Sequence, residues 1–161
     1  MTTAPKYMAV QGAALLVAAC LLVLGVLGFI PGATTDYDLF AWAGHDSGAK
    51  LFGVFAVSGL HNLVHLLLGA AGIWLARTYA GARAYLLVGG AAYLGLGIYG
   101  TLNDHASPSN VMALNSADDW LHFGLGAVMV LLGLTLAAQH DPTKPRHKRQ
   151  GREPISPRLE A

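Results

Sequence analysis

The chain has 161 residues, of which 54% are hydrophobic and 12% charged, against about 25% charged in an average soluble domain. Its formal net charge of +1 gives nucleic-acid binding no support beyond a short basic segment near the C-terminus. The single cysteine, Cys20, excludes an intramolecular disulfide. This composition favours a membrane protein over a soluble one.

The charges divide the chain into uncharged stretches of about 20 residues or more, the length that an α-helix needs to cross a bilayer core. These stretches lie between Lys6 and Asp36, Lys50 and Arg77, Arg83 and Asp104, and Asp119 and Asp141. They predict an all-α polytopic membrane protein whose four transmembrane helices form an antiparallel bundle, at about residues 8–30, 51–76, 84–102 and 119–139. Residues 1–139 then form the transmembrane domain, and residues 140–161 form a basic, disordered cytoplasmic tail.

The first helix is expected to end at "GFIPG", because Pro31 cannot continue a helix and Gly32 can adopt the left-handed cap conformation. The loop after it mixes aspartates with the aromatic residues Tyr37, Phe40 and Trp42. Aromatic rings with polar edges prefer the headgroup zone, so part of this loop is predicted to lie on the outer surface as a short helix.

The second helix contains "GLHNLVHLLLG", which places His61, Asn62 and His65 in an apolar run. His61 and His65 share a helix face, because residues i and i+4 project together. Ser47 is the expected N-cap of this helix. The fourth helix is predicted to begin with a capping box, Ser116 with Asp119, and to carry His122 at about the depth of His61.

Polar side chains at this depth are costly and usually face the interior of a bundle, so the histidines have three interpretations. In the first, each imidazole donates a hydrogen bond to a carbonyl, Tyr or Asn and fixes helix register. In the second, the side chains of His61, His65 and His122 bind haem b or a divalent transition metal. Loop residues that could help to bind a metal are His105, Asp104 and Asp46, and His45 belongs to the same outer polar cluster. In the third, the histidines form a polar relay for protons or a small solute.

The distribution of charge predicts the orientation. With four spans, the termini and the 77–83 turn share one side, and that side holds nine of the ten Lys and Arg residues. The two longer loops on the other side hold only Lys50, together with six of the nine acidic residues. Lys and Arg are retained on the cytoplasmic side, so both termini are predicted to be cytoplasmic and both long loops external.

Several segments resemble a family of small actinobacterial membrane proteins classed as a domain of unknown function. They are "GVLGFIPG", "AGHDS", "LHNLVHLLLGAAG", the tyrosine-rich third helix and "NSADDWLHFGLG", and the similarity covers about residues 8–138. The matching motif residues are Gly44, His45, Asp46, Ser47, His61, Asn62, His65, Asn115, Trp120, His122 and Gly124. The resemblance implies four helices and a plasma-membrane location, and it implies no catalytic role for any residue.

The sequence therefore predicts a small integral membrane protein that acts as a non-enzymatic accessory or interaction component of the cell envelope. Its expected partners are the lipid bilayer and other membrane proteins. The alternative is a haem- or metal-binding electron-transfer protein that uses His61, His65 and His122.

Overall fold

The computed structural model describes residues 8–136, which form four α-helices and a small sheet. The helices are α1 (Ala9–Leu27), α2 (Gly59–Leu75), α3 (Tyr79–Leu102) and α4 (Ser116–Thr135). The strands are β1 (Thr34–Thr35), β2 (Lys50–Leu51) and β3 (Phe55–Ala56), paired antiparallel in the order β1-β2-β3. The prediction of a helical protein with four helices is confirmed. The predicted tail over 140–161 and the predicted last turn of helix 4 lie outside the described residues.

Within residues 8–136, three helices are long and apolar enough to cross a membrane, namely α1, α3 and α4 with 19, 24 and 20 residues. Helix α2 is apolar but has 17 residues, which is a length of about 25 Å. Large apolar side chains point outward from the helices, including Leu16, Val88 and Leu131. Such surfaces suit contact with lipid, so the fold agrees with the predicted membrane protein, with three candidate spans instead of four.

Helix α2 begins eight residues later than predicted. The segment that sequence composition assigned to its first two turns is instead a hairpin of β2 and β3, in which Leu51 pairs with Phe55. Gly53, at φ of +71°, permits the tight turn between the strands. The N-cap is Ser58, whose Oγ accepts a hydrogen bond from the His61 N–H at 3.2 Å, and not Ser47.

Other predicted bounds also differ: α1 ends at Leu27 rather than 30, and α4 begins at Ser116 rather than 119. Helix α3 begins at Tyr79 rather than 84, because the Thr78 side chain caps it by accepting the N–H of Gly81 at 3.0 Å. The predicted short helix in the first outer loop is a single 3-10 turn, Tyr37–Leu39. The cap at Thr78 therefore places the charged Arg83 in the second turn of α3. The sequence prediction took only the uncharged stretch as helix and so began the helix after Arg83.

The capping box of α4 was predicted one residue too late. Asn115 is the N-cap, and its Oδ1 accepts the N–H groups of Ala117 and Asp118 at 2.9 and 3.0 Å. Asp118 reaches back to accept the N–H of Asn115 at 2.9 Å, so the pair is Asn115 with Asp118 and not Ser116 with Asp119. The sequence offers both pairs at the same spacing. Asn115 also donates from Nδ2 to the Val54 carbonyl at 2.9 Å, a bond to the hairpin that Ser116 does not make.

Replacing Asn115 with alanine should lower the free energy of unfolding by about 0.5–2 kcal/mol, because two helix N–H groups lose their acceptor. Ser116→Ala is the matched control; this side chain is exposed, and its loss should change stability by less than about 0.5 kcal/mol. Thermal midpoints of the two variants in the same detergent would measure the difference. An equal loss in both variants would contradict the assignment of the cap.

The helices pack mainly in two pairs, α1 with α2 and α3 with α4. Glycines permit the close approach of α3 and α4: a Cβ on Gly126 would lie 2.8 Å from the Gly90 carbonyl oxygen and 2.8 Å from the Leu94 nitrogen. A Cβ on Gly90 would lie 2.9 Å from the Gly126 carbonyl oxygen in turn. These two glycines therefore set the spacing of the α3–α4 pair.

Candidate metal-binding site

The structure brings together the three histidines of α2 and α4 that the sequence singled out. The rings of His61 and His65, one turn apart on α2, stack with their centroids 4.7 Å apart. His122 approaches from α4, with its ring centroid 5.8 Å from that of His61. One ring nitrogen of each histidine lies within 4.8 Å of those of the other two. We call these three residues the histidine cluster.

The histidine cluster is almost completely shielded, with 3%, 8% and 1% of His61, His65 and His122 exposed. Neither ring nitrogen of His61 has a hydrogen-bond partner within residues 8–136, and neither has Nδ1 of His122. The backbone of Ala56 lies beside His61 without hydrogen-bond geometry. His65 lies against the backbone of His61. The predicted hydrogen bonds that would fix helix register are therefore missing at His61 and at Nδ1 of His122.

Helix α3 adds a tyrosine that the histidine analysis missed. The ring of Tyr93 lies 5.4 Å from that of His122 and 6.3 Å from that of His65, between centroids. Its hydroxyl is buried without a hydrogen-bond partner in the described part of the chain, as is Nδ2 of Asn62. The only sequence signal was the run of tyrosines in an apolar helix, which by itself is equally typical of packing.

A cavity of about 20 Å³ lies beside His61 and His65. This volume is enough for about one water molecule. The other lining residues are Leu24, Leu51, Phe55, Val57, Asn62, Asp118 and Leu121. Asp118 is not among the candidate site residues predicted from the sequence, and the structure adds it because the first turn of α4 contributes to the cavity wall.

The polar residues of the outer loops do not join the histidine cluster. His105 Nε2 lies 3.0 Å from Oδ2 of the buried Asp119, and His45 Nε2 lies 3.3 Å from Oδ1 of Asp46. Asp104 accepts the N–H of Ala106 at 3.0 Å. His45 and His105 line another, more open cavity of about 230 Å³ that Lys50 also lines. His105 and Asp104, which the sequence suggested as additional metal ligands, therefore lie elsewhere.

Three imidazoles facing one another form a ligand set for a borderline metal ion such as Zn²⁺, Cu²⁺, Fe²⁺ or Ni²⁺. In a tetrahedral zinc site with bonds of about 2.0–2.1 Å, ligand nitrogens lie about 3.3 Å apart. The ring nitrogens of the histidine cluster lie up to 4.8 Å apart, and they would reach the spacing of a zinc site if the rings moved by about 1 Å. The small cavity beside His61 and His65 has room for about one water molecule.

Residues 11–135 match the model of a family described as "Domain of unknown function (DUF4383)". The match covers the four helices and agrees with the resemblance noted from the motifs. No curated protein and no solved structure matches the chain significantly.

Proposed function

The chain belongs to the DUF4383 family, and we propose that it is an integral membrane protein that binds one transition metal ion through His61, His65 and His122. One observation carries the proposal: three buried imidazoles converge, and the nitrogens of His61 have no hydrogen-bond partner within residues 8–136. A buried polar atom without a hydrogen-bond partner lowers the free energy of unfolding by about 1–3 kcal/mol, and several such atoms lie close together here. A metal ion would satisfy these nitrogens together.

The dimensions of the site favour a single ion over haem b. A haem with two histidine ligands requires a flat macrocycle between the rings. Here the rings of His61 and His65 stack at 4.7 Å, and the adjoining cavity measures about 20 Å³. Pockets for molecules of cofactor size measure about 300–1,000 Å³.

The same small volume favours binding over catalysis, because it leaves no room for an organic substrate next to the ion. We therefore propose a non-enzymatic accessory component of the cell envelope whose ion stabilises the helices or mediates contact with another membrane protein. No comparable observation on the described residues supports the third interpretation, a polar relay for protons or a small solute.

We propose further that all four helices span the actinobacterial plasma membrane as an antiparallel bundle, with both termini cytoplasmic. Helix α2 is short, but the β2–β3 hairpin directly precedes it in the chain, at its proposed external end. The hairpin and the helix together are longer than the helix alone. Arg77 lies in the turn between α2 and α3 and Arg83 in the second turn of α3, whereas Lys50 is the only Lys or Arg in the two long loops. This asymmetry supports external loops over 31–58 and 103–115.

A cysteine at Ser107, after Cys20 is replaced by alanine, should react with a membrane-impermeant maleimide in intact cells. A cysteine at Arg83, an exposed residue near the start of α3, should react only after the cells are permeabilised, because this end of α3 is cytoplasmic in the proposed topology. Gel-shift labelling would measure both. If residue 83 were labelled in intact cells and residue 107 were protected, the true topology would be the reverse of the proposed one. Labelling of both residues in intact cells would contradict four spans.

The metal proposal is tested on the full chain in mild detergent. After chelator treatment, titration with Co²⁺ should produce visible absorption bands that saturate at one equivalent, and Zn²⁺ should displace the Co²⁺. His45→Gln, in the outer loop, is a control that should bind equally. If neither Co²⁺, Zn²⁺, Cu²⁺ nor Cu⁺ binds saturably, the proposal fails, and a Soret band in the purified protein would support haem instead.

A further inference from the structure

Asp118 is a buried carboxylate at the edge of the histidine cluster. It is 1% exposed and lines the cavity of about 20 Å³ together with His61 and His65. Within residues 8–136, the only other buried acidic residue is Asp119. Asp119 lies 3.0 Å from His105 and does not line this cavity, so Asp118 is the carboxylate available to the site.

Only one oxygen of Asp118 is occupied by hydrogen bonds. Oδ2 accepts the N–H of Asn115 at 2.9 Å and the N–H of Ala56 at 3.1 Å. Oδ1 accepts no hydrogen bond from the part of the chain that the structure describes. Both donors to Oδ2 are neutral backbone groups, and no Lys, Arg or His side chain within residues 8–136 pairs with this carboxyl group. Asp118 therefore brings an acceptor oxygen to the wall of the cavity and, in its ionised form, a negative charge without a cationic partner.

Three neutral imidazoles around a divalent cation would leave two positive charges in an apolar interior. Burying an unpaired charge is expensive, and the cost falls when an opposite charge lies nearby. A monovalent ion has less to gain from such a partner, because Coulomb energy scales with the product of the charges. A carboxylate beside the site would thus favour divalent over monovalent cations.

Resting on the metal-binding function proposed above, we infer that Asp118 is the specificity-determining charge partner of the ion and makes the site selective for divalent over monovalent transition metals. Its free oxygen is placed to accept a hydrogen bond from a water molecule held in the cavity by the ion. Such outer partners orient metal ligands and commonly change metal affinity by about 10–100-fold.

The variant Asp118→Asn separates charge from structure. The amide oxygen of asparagine can accept the same two hydrogen bonds, from Asn115 and Ala56, so the cap of α4 and its contact with β3 are kept. The negative charge is removed, and the free Oδ1 is replaced by an amide NH2 that cannot accept a hydrogen bond from water. Asp46→Asn is the matched control, since it also removes one negative charge but lies in the outer loop beside His45.

The experiment compares the affinities of the wild type and both variants for Zn²⁺ and for Cu⁺, each in a metal buffer, with thermal midpoints of the metal-free forms. Asp118→Asn should weaken Zn²⁺ binding by about 10–100-fold and Cu⁺ binding by less than about 3-fold. Asp46→Asn should change neither. An equal loss for both ions, or no loss for either, would overturn the inference.

The two proposals fail separately. A wild type that binds no ion overturns the metal-binding function, whereas a wild type that binds Zn²⁺ with an unaltered Zn²⁺/Cu⁺ ratio in Asp118→Asn overturns only the role of Asp118. If Asp118→Asn does not fold, infrared difference spectra of the wild type decide the matter. Zn²⁺ should shift a carboxylate stretching band, also in Asp46→Asn, and the absence of any such shift would contradict the charge-partner role.

Discussion

Gly126→Ala should force helices α3 and α4 apart and lower the free energy of unfolding by about 1–3 kcal/mol or more. The added methyl group would lie 2.8 Å from both the Gly90 carbonyl oxygen and the Leu94 nitrogen. These are backbone atoms, which cannot rotate away as the end of a flexible side chain can. The helices must therefore separate along their length, which removes packing well beyond the substituted residue.

The matched control is Gly124→Ala, two residues earlier on the same helix. Gly124 is exposed, and a Cβ there would meet no atom within 4 Å. Alanine also has the higher helix propensity, by about 1 kcal/mol, so this variant should be as stable as the wild type or slightly more stable. Thermal melting of both in the same detergent measures the difference. Equal midpoints would contradict the close α3–α4 crossing.

Replacing His122 should remove metal binding, with a loss of affinity greater than about 100-fold. Loss of an outer partner of a metal ligand already costs about 10–100-fold, and His122 is the only cluster member outside α2. His122→Gln and His122→Leu should fail alike, because glutamine keeps hydrogen-bonding groups but is a poor substitute for imidazole. Co²⁺ titration of each variant would give the affinities.

The comparison of these two variants also separates metal binding from a purely structural role. If His122 serves only as a buried hydrogen-bonding group, His122→Gln should melt close to the wild type and His122→Leu clearly lower, with no dependence on metal. If the proposal holds, added Zn²⁺ should raise the thermal midpoint of the wild type and of His45→Gln but of neither His122 variant.

The number of helices could be predicted from the sequence because an uncharged, apolar stretch of about 20 residues is typical of a helix that crosses a membrane. The prediction failed where two local structures suit the same composition. "LFGVF" after Lys50 is apolar enough for a helix, but Gly53 turns it into a hairpin. Asn115 and Ser116 both precede an aspartate by three residues, and the contacts of Asn115 with Val54 and of Asp118 with Ala56 distinguish the first pair. Such contacts join residues some sixty positions apart, and no local pattern contains them.

The candidate site was likewise only partly predictable from the sequence. The spacing of His61 and His65 within α2 was readable from the sequence, and counting residues placed His122 at a similar depth. The loop residues His105 and Asp104 are metal-ligating residue types, but His105 contacts Asp119 and Asp104 accepts a hydrogen bond from the backbone of its own loop. The place of Asp118 in the cavity wall depends on the packing of the first turn of α4 against the β2–β3 hairpin, which no local sequence pattern contains.

The histidine cluster takes its members from both helix pairs, with His61 and His65 from the α1–α2 pair and His122 from the α3–α4 pair. An ion bound there would act as a reversible cross-link between two helix pairs that otherwise pack together through one shared hydrophobic cluster. By mass action, a free ion at 100 times its Kd would stabilise the assembled state by about 2.7 kcal/mol. The concentration of one metal would then set how tightly the two halves of the protein hold together in the membrane.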